Sequence, residues 1–202
     1  MTSWILSVFT DRSVDTMLTL YKSLIRSKLE FCCPLWDPTR VQDIETLEGV
    51  QRYYTSKISS IANSHYYDRL KYLKLMSLQR RRERYSIITI FKVLNEIIPN
   101  DIGQTFSTSD RRGVRVVIPS INKEAKLKYI SQYDNSFKIR ASKLWNSIPP
   151  ELTRKSTMHS FKPALTRYLQ SFPDQPPIQG LASRNSILDY NIYQRGACSI
   201  QD

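Results

Sequence analysis

Glycine is scarce in this chain: five residues in 202, at positions 49, 103, 113, 180 and 196, no two closer than ten apart. That spacing excludes the GxGxxG dinucleotide fingerprint, the GxxxxGK[ST] phosphate loop and the GxSxG nucleophile elbow. The only histidines, His65 and His159, exclude HExxH and read as surface or capping residues. Cys32, Cys33 and Cys198 have no zinc-knuckle or CxxC spacing. Cys32 and Cys33 read as buried rather than nucleophilic, and an odd count reads as reduced thiols in an intracellular protein, nuclear or cytoplasmic. No apolar run approaches the ~18 residues of a membrane span. Met1 to Thr10 is apolar at Trp4, Ile5, Leu6, Val8 and Phe9. It lacks a basic leader and a small-residue cleavage site, so it is not read as a signal peptide. No two aspartates are adjacent, and Glu45 and Glu48 have no partner cluster to hold paired cations for phosphoryl transfer.

What the chain has in excess is positive charge: 30 Lys and Arg against 18 Asp and Glu, a net +12. Hydrophobic content of 41% and charged content of 24% are ordinary for a globular protein, and the length suits one or two domains.

Periodicity predicts helices. Val14, Met17, Leu18, Tyr21, Leu24 and Ile25 form one apolar stripe, so a helix is expected from Val14 to about Leu29, capped by Ser13. Pro34 should end it by Cys33, leaving Cys-Cys-Pro-Leu-Trp-Asp-Pro as a tight, partly buried connector. A second helix should start near Thr39, with Ile44, Leu47, Val50, Tyr54, Ile58 and Ile61 on its stripe. A break at 59–65, a short helix from Asp68 to Leu73, and a long helix capped by Ser77 and running from Leu78 to about Ile97 follow. Past residue 100, Arg111-Arg112-Gly113 reads as a turn into one short strand. A helix capped by Asn135-Ser136 and stopped at Pro149-Pro150, and another from Met158 to Leu169, complete the pattern. Trp36 and Trp145 read as packing anchors. The fold class is therefore mainly α: a helical bundle over 1–100, a small mixed α/β subdomain with a short strand and two helices over 101–171, and a loosely ordered tail over 172–202.

The basic residues cluster. Arg69, Lys71, Arg80, Arg81, Arg82, Arg84 and Lys92 lie in one stretch. Four of these arginines occupy the first turns of a helix, where they oppose the macrodipole. Free N–H groups and guanidinium forks there suit phosphate, so the expectation is a nucleic-acid backbone contact, neutralised by polyanion rather than by neighbouring acids. Arg111, Arg112, Arg140 and Lys143 are smaller basic groups that could extend it. The alternative is a solvated face paired with carboxylates of the fold.

Five strings complete the sequence evidence: LYKSLIRSKLEFCCPLWDP from Leu20 to Pro38, IETLEGVQR from Ile44 to Arg52, RLKYLKLMSLQRRR from Arg69 to Arg82, FKIRASKLWNSIP from Phe137 to Pro149, and FKPAL from Phe161 to Leu165. Their order and spacing, over about residues 4 to 189, resemble the segment that follows the polymerase core in jockey-like non-LTR (LINE-type) retrotransposon reverse transcriptases. The resemblance implies the thumb and C-terminal region of an RNA-directed DNA polymerase, without fingers, palm or endonuclease. The family's paired-aspartate motif has no counterpart, so the chain alone is not expected to be an enzyme or to hold a cofactor or metal. Implied partners are RNA, DNA or an RNA/DNA hybrid, gripped through the backbone, and the missing polymerase core; no membrane is implied. Gln79 stands where the family pattern suggests an acid. The alternative is an inactive structural or protein-interaction remnant, with Trp4, Ile5 and Phe9 shaped to pack on the absent palm.

Overall fold

In the computed structural model, residues 2–99, 106–109, 115–118, 133–175 and 185–190 are described. Helix follows helix: α1 (Thr2–Val8), α2 (Val14–Leu20), a π-helical turn (Tyr21–Ile25), α3 (Arg26–Glu30), α4 (Cys33–Trp36), α5 (Val41–Thr55), a 3₁₀ turn (Ser59–Ile61), α6 (Tyr66–Tyr72) and α7 (Leu78–Leu94). After them come β1 (Thr108–Ser109), β2 (Arg115–Val116), α8 (Phe137–Ser147), α9 (Pro150–Thr153) and α10 (Met158–Gln170). The fold is mainly helical. Among the described residues, no helix is long and apolar enough to cross a membrane.

Two compact units share the chain. The first takes Met1–Arg82 and Asp174–Asn185, the second Glu83–Pro173 and Ser186–Asp202. This differs from the expected boundary at residue 100: the division falls inside α7. Within the expected tail, 172–175 and 185–190 are described. Asp174 and Asn185 belong to the first unit, and 187–190 form a helical turn in the second.

The first unit buries Ile5, Met17, Tyr21, Ile25, Tyr54, Ile58, Ile61 and Leu73 as one cluster. Tyr21 and Tyr54 stack with centroids 5.6 Å apart. Their hydroxyls are satisfied inside the core: Tyr21 donates to Gln51 Oε1 at 2.5 Å, and Tyr54 to the Met17 carbonyl at 3.1 Å. The expected helix from Val14 to Leu29 is interrupted by the π turn. A π turn adds one residue to the repeat, so the apolar stripe shifts: Ile25 stays buried while Leu24 turns outward. Pro34 does not merely end a helix. It occupies the first turn of α4, where its missing N–H costs nothing.

Scarcity of glycine shows at the helix ends. α6 and α7 both close with a left-handed residue, Lys74 at φ 51° and Glu96 at φ 55°. Each makes the paired Schellman bonds: Leu75 N–H to the Leu70 carbonyl (2.9 Å) and Lys74 N–H to Lys71 (3.2 Å); Ile97 N–H to Lys92 (2.8 Å) and Glu96 N–H to Val93 (3.1 Å). The left-handed conformation costs a non-glycine residue about 1 kcal/mol. It also stops α7 at Leu94, before the proline expected to end it.

The second unit packs α7, α8 and α10 around aromatic rings. Phe91 and Phe161 stack at 4.1 Å, and Trp145, expected as an anchor, is buried 6.0 Å from Phe161. Truncating Phe161 would cost about 3–5 kcal/mol. α10 is capped by Thr157, whose hydroxyl accepts from Ser160 N–H at 3.3 Å. The strand expected near 112–119 is β2, paired antiparallel with β1, Thr108 opposite Val116. Asn146 of α8 holds its free edge with both amide atoms, accepting from Val116 N–H (3.0 Å) and donating to its carbonyl (2.9 Å). The Ser136 hydroxyl does not cap α8 as expected; it donates to the Tyr133 carbonyl at 2.7 Å.

Candidate nucleic-acid interface

The arginines of α7 were expected to face a polyanion, and the structure corrects that expectation. Arg80 is 0% exposed and Arg82 1%. Arg81 forks onto Glu30, with Nη2 at 2.9 Å from Oε2 and Nε against Oε1. Arg82 Nε lies 2.7 Å from Asp37 Oδ1. Arg80 Nη2 donates to Asn185 Oδ1 at 3.1 Å. Arg84, half-buried, donates from Nε to Thr166 Oγ1 at 3.1 Å. The helix entrance tolerates these guanidinium groups because carboxylates and amides of the fold receive them. The carboxylates lie 45 and 51 residues away in sequence, too far for any local spacing rule to reveal.

The entrance itself is capped by an acid from the far end of the chain. Asp174 accepts from Ser77 N–H and from the Ser77 hydroxyl, both at 2.7 Å, so its negative charge sits where the helix dipole favours it. Ser77 is the cap that the sequence predicts, its Oγ accepting from Arg80 N–H at 3.2 Å. Asn185 binds Ser77 Oγ (3.2 Å) and Asp174 (2.5 Å), and its N–H reaches Gln79 Oε1 (2.9 Å). Gln79, where an acid was expected, thus serves as a buried acceptor.

A second buried group completes this polar interior. Glu48 accepts from the Tyr66 hydroxyl at 2.6 Å and from Gln79 N–H at 2.8 Å. Burial pushes its carboxyl above the ordinary range, against the opposing pull of these bonds and of the Arg82 charge. The same burial, with the Glu48 charge beside it, raises the Tyr66 hydroxyl. Glu45, the other carboxylate read as a ligand candidate, is exposed and pairs with Arg52 at 3.0 Å. Among the described residues, no group of three His, Cys, Asp or Glu could hold a metal ion.

Arg69 is also internal. It donates to Thr55 Oγ1 (3.2 Å), the Ser64 carbonyl (2.6 Å) and the Arg52 carbonyl (3.0 Å). It thereby ties the end of α5 to the loop before α6, and burial lowers its pKa. The remaining predicted contacts are on the surface or partly so. Lys71 is exposed, Lys92 half-buried, and Lys143 exposed with Asp134 at 3.1 Å. Arg140, half-buried, donates to the Asn135 carbonyl at 2.8 Å. Arg111 and Arg112 lie outside the described residues. A further basic stretch spans 138–167: Lys138, Arg140, Lys143, Arg154, Lys155, Lys162 and Arg167, none of the seven buried, with Glu151 the one acid in that stretch of sequence. Its signal was present in the charge count, diluted by spacing.

Cys33 is buried, and burial pushes its thiol up to about 12. Cys32, expected to be buried as well, is exposed. Trp36, expected as a packing anchor, is partly exposed. No protein-family model, curated protein or solved structure matches this chain.

Proposed function

We propose that the chain is the thumb and C-terminal part of a non-LTR reverse transcriptase, a helical module followed by a small mixed α/β subdomain, which binds nucleic-acid backbone without performing polymerisation. The five motif strings support the ancestry. The observation that carries the binding is the unburied basic stretch over 138–167 with its single acid; the α7 arginines no longer contribute to it. Arg140 and Lys143 stand one helical turn apart on α8 and so share a face. The Lys143–Asp134 pair is exposed and adds little that a phosphate could not displace.

Fluorescence anisotropy with an RNA/DNA hybrid at two salt concentrations tests this. The wild type should lose affinity steeply with salt. Arg140→Glu/Lys143→Glu/Arg167→Glu should bind at least tenfold more weakly, with a salt slope reduced by roughly 2 to 3. Equal slopes for wild type and variant would remove this surface from the interface, and a wild type that does not bind would end the binding proposal. The second reading, a protein-interaction remnant, is favoured by one specific observation, the apolar side chains left in solvent at Phe31, after α3, and at Leu35 and Trp36 of α4.

A further inference from the structure

Phe31 is 73% exposed, Leu35 76% and Trp36 41%. These three apolar side chains sit within six residues, on a turn that is held rather than loose. Cys32 takes the left-handed conformation at φ 49°. Leu35 N–H bonds the Cys32 carbonyl at 3.0 Å and Asp37 N–H bonds that of Cys33 at 2.9 Å. The Trp36 indole N–H donates to the Phe31 carbonyl at 2.7 Å, while Cys33 is fully buried beneath. Both ends are clamped from α7: Arg81 grips Glu30, just before Phe31, and Arg82 grips Asp37, just after Trp36. The arginines that do not meet a polyanion instead position this tip.

The clamps also decide its electrostatics. Between Lys22 and Arg40 the only acids are Glu30 and Asp37, and both are engaged by these arginines. Lys22, Lys28 and Arg40 are exposed, and Lys28 lies one turn before Phe31. The tip is therefore apolar with a positive surround. We infer that the Phe31–Leu35–Trp36 tip docks a partner protein through an apolar stripe flanked by carboxylates, such as an acidic amphipathic helix. A second copy of the chain fits less well, because face-to-face pairing would set Lys28 and Arg40 against their own kind in a protein of net charge +12. Single-stranded nucleic acid also fits less well. Base stacking needs ring faces, and the most exposed tip residue is a leucine.

A phage-displayed library of random 16-residue peptides, panned on the wild-type chain and counter-selected on Leu35→Asp, tests the inference. The tip residues are exposed, so Leu35→Asp and Phe31→Ser should keep the wild-type Tm. Enriched peptides should carry net negative charge with apolar residues three or four apart. The best of them, labelled and titrated, should bind each variant at least tenfold more weakly than wild type, and Tyr72→Ser, an exposed aromatic on α6, as tightly as wild type. No enrichment over the counter-selection, or enrichment of neutral or basic peptides, would overturn it. So would a concentration-dependent dimer abolished by Leu35→Asp, which assigns the tip to a second copy. Oligo(rU) binding abolished by the same variant would assign it to nucleic acid. None of these outcomes depends on the 138–167 surface, so each is distinguishable from failure of backbone binding.

Discussion

Replacing Arg82 by methionine separates an internal role for the α7 arginines from a ligand-binding one. The Arg82 side chain is 2% exposed and that of Asp37 11%, with Nε and Oδ1 2.7 Å apart. An exposed pair would be worth about 0–1 kcal/mol. A buried pair behaves differently: removing one partner leaves the other charge desolvated, at a cost of about 3–5 kcal/mol. Taking about 3 kcal/mol, and 2–4 °C per kcal/mol for a chain of this size, Arg82→Met should lower Tm by roughly 6–12 °C. Arg82→Met/Asp37→Leu removes both charges together and should recover most of that loss. Lys71→Met, at an exposed lysine, should move stability by no more than about 0.5 kcal/mol. Thermal melts followed by circular dichroism, run beside hybrid-binding titrations on the same proteins, give the readout. A variant with wild-type Tm and a large loss of hybrid affinity would refute the internal pair and return Arg82 to the interface.

Glu48→Gln tests the buried carboxylate. Burial raises its folded pKa above the unfolded value, so its favourable contribution is fully present below pH ~4.5 and is lost as pH rises through the folded pKa. Glutamine keeps the acceptor for Gln79 N–H and can donate to Tyr66, without the charge. The variant should gain on wild type as pH rises from 4.5 to 8 in paired melts; a difference that does not change with pH, or that moves the other way, counts against the assignment. In a Cys198→Ser background, a thiol reagent at pH 8 should modify the exposed Cys32 and spare Cys33, whose thiol is buried and pushed up to about 12. Peptide mapping that finds both labelled at similar rates would contradict that burial.

Local chemistry wrote much of this molecule into the chain. The helices over 14–30, 41–55, 66–72 and 78–94, the Ser77 cap, the start of α10 and the burial of Trp145 follow from apolar spacing, capping residues and proline placement, because those forces act within a few residues; α1 and α4 were not expected. Helix interruption was legible only in part. The π turn at Tyr21–Ile25 answers to packing around Tyr21 and Tyr54, and the repeat alone reads straight through it. The fate of the arginines was not legible. Four guanidinium groups at a helix entrance look identical whether they await a phosphate or a carboxylate, and the choice was made by Glu30, Asp37, Asp174 and Asn185, brought from distant sequence to the start of one helix. Net charge is a property of composition and survives folding; which of those charges meets solvent is set by tertiary contact, since desolvation, not identity, decides what a side chain can bind.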